Sequence, residues 1–271
     1  MLLENKIDPE IRIRIITKAE TCESVLLLYY HAYKGRLLNG LIHNIGSPLQ
    51  SVMFLFEFLE TKNFGGGDKE LREIVDSQLT VVSRELQGVA ETFENFRILE
   101  RMVESYERTL NLPDFLRLFS KVLWTDLFFK HNVKLSIKSD LHFIVPDMPS
   151  RIVCLIFVEI VRNALKALKR TEGSRKLEFV LNVTDDRNKV VIKVGDSGCG
   201  WSLDTDTSAL FQPYHSRWDP LDVSEIEIPS FGLGLHCVRE LISFYGGEVS
   251  LSRYDGMTWV TLVLPFSGEC I

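Results

Sequence analysis

Glu159-Ile160-Val161-Arg162-Asn163-Ala164-Leu165-Lys166 lies inside an apolar stretch, Ser150–Lys169, that reads as a buried helix. Glu159, Asn163 and Lys166 recur at steps of four and three, so they share one helix face. That face carries an acid, an amide and a cation. Oxygen ligands suit Mg²⁺, and a lysine suits phosphate. Taken alone, polar residues at this spacing usually mark a solvated face.

Two further strings lie downstream. Asp196-Ser197-Gly198-Cys199-Gly200 follows a strand, Lys189–Val194. An acid at a strand end can accept a hydrogen bond from an exocyclic amine, and spaced glycines let backbone pass close to a flat base; an ordinary turn has the same composition. Gly232-Leu233-Gly234-Leu235 opens a helix over Phe231–Tyr245. Backbone N–H groups at a helix N-terminus attract anions, and glycines leave room for phosphates.

Strands are predicted at Val133–Ile137, Leu141–Val145, Leu177–Thr184, Lys189–Val194, Glu248–Arg253 and Met257–Leu264, with a turn at Asp185-Asp186-Arg187-Asn188. This order of helices and strands predicts an α+β sandwich, with helices on one face of a mixed sheet. The unit starts near Leu112-Pro113 and takes residues 112–271.

Residues 18–111 have another texture. Leu38, Leu41, Ile45, Leu49, Val52, Leu55 and Leu59 step by threes and fours along a helix from Lys18 to Lys62. Asn63-Phe64-Gly65-Gly66-Gly67-Asp68 stops it. Leu71, Val75, Val82, Leu86, Val89, Phe93, Phe96 and Val103 mark a second helix from Lys69 to Thr109. Each would be about 60 Å long. The pair makes an all-α antiparallel helical hairpin. A hairpin that long cannot cover its own stripe, so a homodimer with a four-helix bundle is predicted. Residues 1–17, where Ile11-Arg12-Ile13-Arg14-Ile15 alternates like a strand, have no assigned role.

Inside the first helix stands His43-Asn44-Ile45-Gly46-Ser47-Pro48-Leu49. A proline in mid-helix costs about 3 kcal/mol or more. Here it follows a histidine closely, and a bend can turn an imidazole outward. A lone helical histidine is more often structural.

The net charge is −6, with no long basic run, which argues against bulk nucleic-acid binding. The five cysteines include no C-x-x-C pair, so zinc is not expected and reduced thiols are. No apolar run of about 18 residues occurs, so no transmembrane helix is expected and a cytoplasmic protein is. A stimulus would then arrive inside the cell, through an upstream sensor protein.

In their order and spacing, the three downstream strings resemble the nucleotide-binding domain shared by histidine kinases, type II topoisomerases, heat-shock chaperone ATPases and mismatch-repair ATPases. The resemblance covers roughly Pro113 to Pro265. It implies that Asn163 holds Mg²⁺ with Glu159 beside it, and that Lys166 approaches the phosphates of ATP. It implies that Asp196 binds the adenine amine, that Gly198 and Gly200 line the base pocket, and that Gly232 and Gly234 lie near the phosphates. Thr258 matches a threonine that supports the adenine-binding acid, with Met257 where a glycine is usual. The segment between Gly200 and Gly232 resembles a mobile lid, and Phe211-Gln212-Pro213-Tyr214-His215-Ser216 the aromatic motif before it. Arg217 is placed to reach a phosphate or to lie in solvent.

The string at His43 resembles the phosphoacceptor box of sensor histidine kinases, matching at His43, Pro48 and Leu49. The implied activity is autophosphorylation of His43 from ATP, followed by transfer to an aspartate of a response-regulator receiver protein. Asn44 stands where many relatives carry an acid. Its carbonyl can fix the imidazole tautomer but cannot take the proton. General-base help is worth roughly 10²–10⁴-fold, so slow autophosphorylation follows from this substitution. Ser47 replaces the threonine or asparagine tied to dephosphorylation. Two rival readings are a non-enzymatic histidine phosphotransfer scaffold with a decayed ATP site, and an ATP-hydrolysing machine in which Glu159 activates water.

Overall fold

The computed structural model describes residues 9–61, 69–185, 188–201, 206–215 and 231–266. The glycine-rich 62–68 connection, Arg217 and most of the lid-like segment lie outside the described residues.

Two long helices come first. Helix α1 runs over Pro9–Thr61 and α2 over Lys69–Glu104. They lie antiparallel: Glu100 on α2 is hydrogen-bonded by Tyr30 of α1 and, at 2.5 Å, by Lys34. The alternating Ile11–Ile15 segment is helical rather than extended, and it leaves Ile13, Ile15 and Ile16 exposed. Helix α2 stops five residues earlier than its pattern predicts. The carbonyls of Ser105 and Glu107 turn instead to the backbone N–H groups of Arg151 and Ser150, at 2.9 and 2.8 Å. They thereby satisfy the first turn of a later helix.

The second half holds α3 (Leu112–Leu123), α4 (Leu127–Asn132), β1 (Val133–Ser139), α5 (Ser150–Lys169), β2 (Arg175–Val183), β3 (Lys189–Asp196), α6 (Gly234–Phe244), β4 (Glu248–Tyr254) and β5 (Met257–Pro265). The sheet order is β1-β2-β3-β5-β4, parallel between β1 and β2 and antiparallel elsewhere. Leu177, Phe179, Leu181, Val190, Ile192 and Val194 point to one face and are fully buried, as strict alternation requires of a half-covered sheet. Helix α5 fills that face. Phe157 meets Phe115 and Phe179 edge-on, with ring centroids 5.1 and 6.4 Å apart. Each buried ring contributes on the order of 2–3 kcal/mol.

Leu141–Val145 is not a strand. The Ile144 N–H donates to the Asn111 side chain and its carbonyl accepts from Leu112, both at 2.9 Å, so both groups serve the start of α3 rather than a ladder. Of the neighbouring backbone, Pro146 alone forms a β-bridge, an isolated one with Phe266.

The hairpin packs on the α/β unit. Asp126 caps α4 through the Phe129 N–H and pairs with Arg36 of α1 at 3.0 Å. A Cβ on Gly40 would stand 1.8 Å from the Thr125 carbonyl oxygen, so only glycine lets α1 approach there. No described helix is long and apolar enough to cross a membrane.

Candidate nucleotide site

Helix α5 brings its polar face under the start of α6. The Arg162 guanidinium forks onto Glu159, with Nε 2.8 Å from Oε2 and Nη2 2.9 Å from Oε1. Asn163 Nδ2 donates to the same Oε1 at 2.9 Å, which leaves the amide oxygen as the acceptor for another partner. The Glu159–Arg162 pair is buried, and Arg162 stacks over the Tyr29 ring of α1 at 4.6 Å. A Cβ on Gly234 would lie 1.7 Å from Glu159 Oε1. The glycine at the head of α6 therefore touches the acid of α5 directly.

On the other wall Asp196 ends β3, directly opposite Thr258 of β5. Asp196 accepts from the Gly198 N–H at 2.8 Å, and burial pushes its carboxyl up to about 7. The Thr258 hydroxyl is buried with no hydrogen-bond partner. Gly200, at φ +55°, would bring a Cβ within 2.7 Å of that hydroxyl. A Cβ on Gly198 would meet Ala167 at 2.5 Å. Gly232, at φ +68°, packs on the backbone of Tyr214 and His215.

Between these walls is a cavity of about 450 Å³, the size of a small-molecule site. Glu159, Asn163, Asp196, Gly200, Gly232, Gly234 and Thr258 all line it, over an apolar floor that includes Val194, Leu251 and Val260. Gly198 is not among the described residues lining the cavity; it donates its N–H to Asp196. Lys166 is not among the described residues lining the cavity; Arg170, seven residues after Asn163 on the same face, is. That position was legible from the same periodicity. Trp201 also lines the cavity, and its carbonyl accepts from Arg253.

The residues fit ATP by two observations. An unpartnered hydroxyl and a desolvated carboxyl sit side by side on an apolar floor, as adenine recognition needs. The glycines keep open volume that side chains would fill. For Mg²⁺ the described residues hold no cluster of three or more histidine, cysteine or acidic side chains. Mg²⁺ commonly takes only one or two protein ligands beside substrate phosphates and water, and the Asn163 amide oxygen offers one.

Residues 149–268 match the family described as "Histidine kinase-, DNA gyrase B-, and HSP90-like ATPase". Sensor histidine kinase ZraS of Salmonella typhimurium is 25% identical over 85% of this chain and 45% of its own length. Sensor histidine kinase YvrG of Bacillus subtilis is 23% identical over 86% of this chain and 38% of its own. The chain is thus similar to sensor histidine kinases, with its ATPase-family match confined to residues 149–268. It spans less than half the length of these curated relatives. Among solved structures, Acinetobacter baumannii histidine kinase AdeS aligns at TM-score 0.42 and 16% identity, over 83% of this chain and 98% of that one.

The residues around His43 lie apart from the cavity. His43 is exposed on α1, Ser47 is exposed, and Pro48 is buried within the continuous helix. Asn44 Oδ1 accepts from Lys130 Nζ of α4 at 2.9 Å. The ATPase domain instead meets α1 near Tyr29, and Lys18 pairs with Glu240 of α6 at 2.8 Å. Tyr29 is 14 residues before His43, roughly 21 Å along the helix axis. The structure does not bring His43 and the cavity together.

Proposed function

We propose that this chain is an ATP-dependent autokinase that phosphorylates His43 and passes the phosphoryl group to an aspartate of a response-regulator receiver protein. The observation that carries this reading is an ATPase-type cavity packed against the same helix that presents an exposed histidine ahead of an internal proline.

ATP supplies the phosphoryl group, and Mg²⁺ neutralises charge on the phosphates. Asp196 and Thr258 orient the base, while the N–H groups around Gly232 and Gly234 face the phosphate end. Asn163 offers its amide oxygen to Mg²⁺, held at its angle by the bond to Glu159. Arg162 fixes Glu159 in turn. The neutral His43 nitrogen forms the N–P bond as the phosphorus–oxygen bond to ADP breaks, so catalysis rests on positioning and charge stabilisation.

Reaction requires either that the ATPase domain leave its seat near Tyr29 or that His43 come from a second copy. The uncovered apolar residues of α1 and α2 support a homodimer. Asn44 cannot act as a base, so the rate falls below that of an acid-bearing site. In the position seen, Lys130 of α4 bonds to Asn44 beside His43.

The test is incubation of the purified protein with γ-labelled ATP. An acid-labile, base-stable label that disappears in His43→Ala and in Asn163→Ala is expected. Steady hydrolysis of ATP with no phosphoprotein would reject the autokinase.

A further inference from the structure

The ATPase domain meets α1 at a pair of thiols. Cys22 on α1 and Cys237 on α6 are both free and both buried, at 4% and 2% exposure. Helices α1 and α6 pack together here, and each thiol perturbs the other: Cys237 holds Cys22 below the ordinary thiol range, and Cys22 pushes Cys237 above it. Glu240 works against the lowering and Lys18 adds to it. Both cysteines line a second cavity, of about 580 Å³, whose wall also includes Thr21, Val25, Leu233 and His236. The sulfurs are thus shielded from bulk water but reachable through a cleft between helix and domain.

We propose that Cys22 and Cys237 form a redox modification site, at which a low-molecular-weight disulfide such as oxidised glutathione converts the pair into a protein disulfide that clasps α6 to α1. Cys22, as thiolate, attacks one sulfur of the small disulfide and releases a thiolate, which takes up the proton Cys22 gave to solvent. Cys237 then loses its proton and attacks the Cys22 sulfur of the mixed disulfide. The protein Sγ–Sγ bond forms, and the second small thiol departs with that proton. Two electrons pass from the cysteines to the oxidant, and one disulfide becomes two thiols.

The consequence follows from position. Cys237 is three residues beyond Gly234, at the phosphate end of the nucleotide cavity. Cys22 is 21 residues before His43, roughly 32 Å along the axis. The bond pins the phosphate end of the ATPase domain far from the acceptor in its own chain. This effect on labelling rests on the autokinase reading; formation of the bond does not.

The experiment treats the full chain with oxidised glutathione and maps peptides by mass spectrometry without reduction. A Cys22–Cys237 cross-linked peptide that dithiothreitol reverses is expected, and Cys237→Ser should instead accumulate a glutathione adduct on Cys22. No cross-linked peptide at any oxidant concentration, or a bond through Cys154 or Cys199 in its place, overturns the site. In the second arm the cross-linked chain should lose His43 label by about tenfold or more, through lost proximity, while still binding a non-hydrolysable ATP analogue. Undiminished labelling in fully cross-linked protein overturns the effect on phosphoryl transfer, because His43 then comes from a second copy. A reduced chain that takes no label counts against the autokinase, and the peptide map still decides the bond.

Discussion

Helices α5 and α1 treat their apolar residues differently. In α5 every apolar side chain from Ile152 to Leu168 is buried. In the second half of α1, Ile42, Leu49, Met53, Phe54 and Phe56 are each more than half exposed, and on α2 Leu79, Leu86 and Phe93 are close to half. A patch of this size on a folded protein calls for a covering surface. The ATPase domain is thus finished as a folding unit within one chain, with its sheet sealed by α5. The far end of the hairpin is not. The difference teaches that the nucleotide cavity is complete within one copy, whereas the end of the hairpin that carries His43 leaves apolar surface for something else to cover.

The sharpest way to break that comparison is inside the finished unit. Gly234→Ala places a methyl where Glu159 Oε1 already stands. Glu159 cannot yield, because Arg162 grips both its oxygens. Disturbing a buried ion pair costs about 3–5 kcal/mol, so nucleotide affinity should fall by about 100-fold or more. Calorimetric titration with an ATP analogue checks this. A folded variant with native affinity would remove Gly234 from the cavity's working wall.

Asp196→Asn comes next. It keeps the shape and loses the charge, and a hydrogen bond to a charged group is worth about 1.5–3 kcal/mol. A loss of roughly tenfold to 100-fold in affinity is expected. The pH dependence has a definite sign. With the carboxyl pushed up to about 7, acidification through that value protonates the acceptor and weakens binding of the adenine amine. Affinity should therefore drop between pH 8 and 6 in the native protein and stay flat in Asp196→Asn. The empty domain shows the opposite trend in stability. Folded Asp196 keeps a proton that the unfolded chain, near its ordinary value of 3.8, has released, so this contribution declines as pH rises from 3.8 to about 7. Denaturant melts across that range check it.

Gly40→Ala acts on the seam between the two regions. The added methyl collides with the Thr125 carbonyl. Overpacking of this kind costs about 1–3 kcal/mol, and the melting temperature should fall by several degrees. Nucleotide affinity should not follow, because no residue of α1 or α2 is among the described residues lining the cavity. If affinity fell in step, docking on α1 would have to be part of the nucleotide site.

What the sequence made legible was local. The face of α5, the acid ending β3 and the glycines at the head of α6 each depend on spacing within a few residues, and periodicity reports spacing. Lys166 was assigned a phosphate role by that logic, yet Arg170, one turn further, lines the cavity. Helices α3 and α4 leave no continuous period in the sequence, because Trp124-Thr125-Asp126 falls between them. Leu141–Val145 looked like a strand because its composition is β-like, while Asn111, some thirty residues upstream, takes its hydrogen bonds. The seat of the ATPase domain on α1 depends on Gly40 meeting Thr125 and Arg162 meeting Tyr29. Such pairs are separated by 85 to 133 residues, and no local rule carries them.

The smallest effect sharpens the comparison most finely. Lys130 of α4 is exposed, and it bonds Oδ1 of Asn44, a half-buried amide next to His43. An exposed hydrogen bond of this kind is worth only about 0.5 kcal/mol or less. Lys130→Ala should leave the melting temperature and nucleotide affinity unchanged. If the domain must release Asn44 before His43 is phosphorylated, the same substitution should raise the rate of labelling slightly, by no more than about twofold given that bond's size. Asn44→Asp would move the other way on docking: it exchanges a neutral acceptor for a charged one, tightens the pairing with Lys130, and gives His43 a base at the same time. A rise in labelling with Asn44→Asp that persists in the Lys130→Ala background would assign the gain to the chemistry at His43. A rise that vanishes there would assign it to the seam.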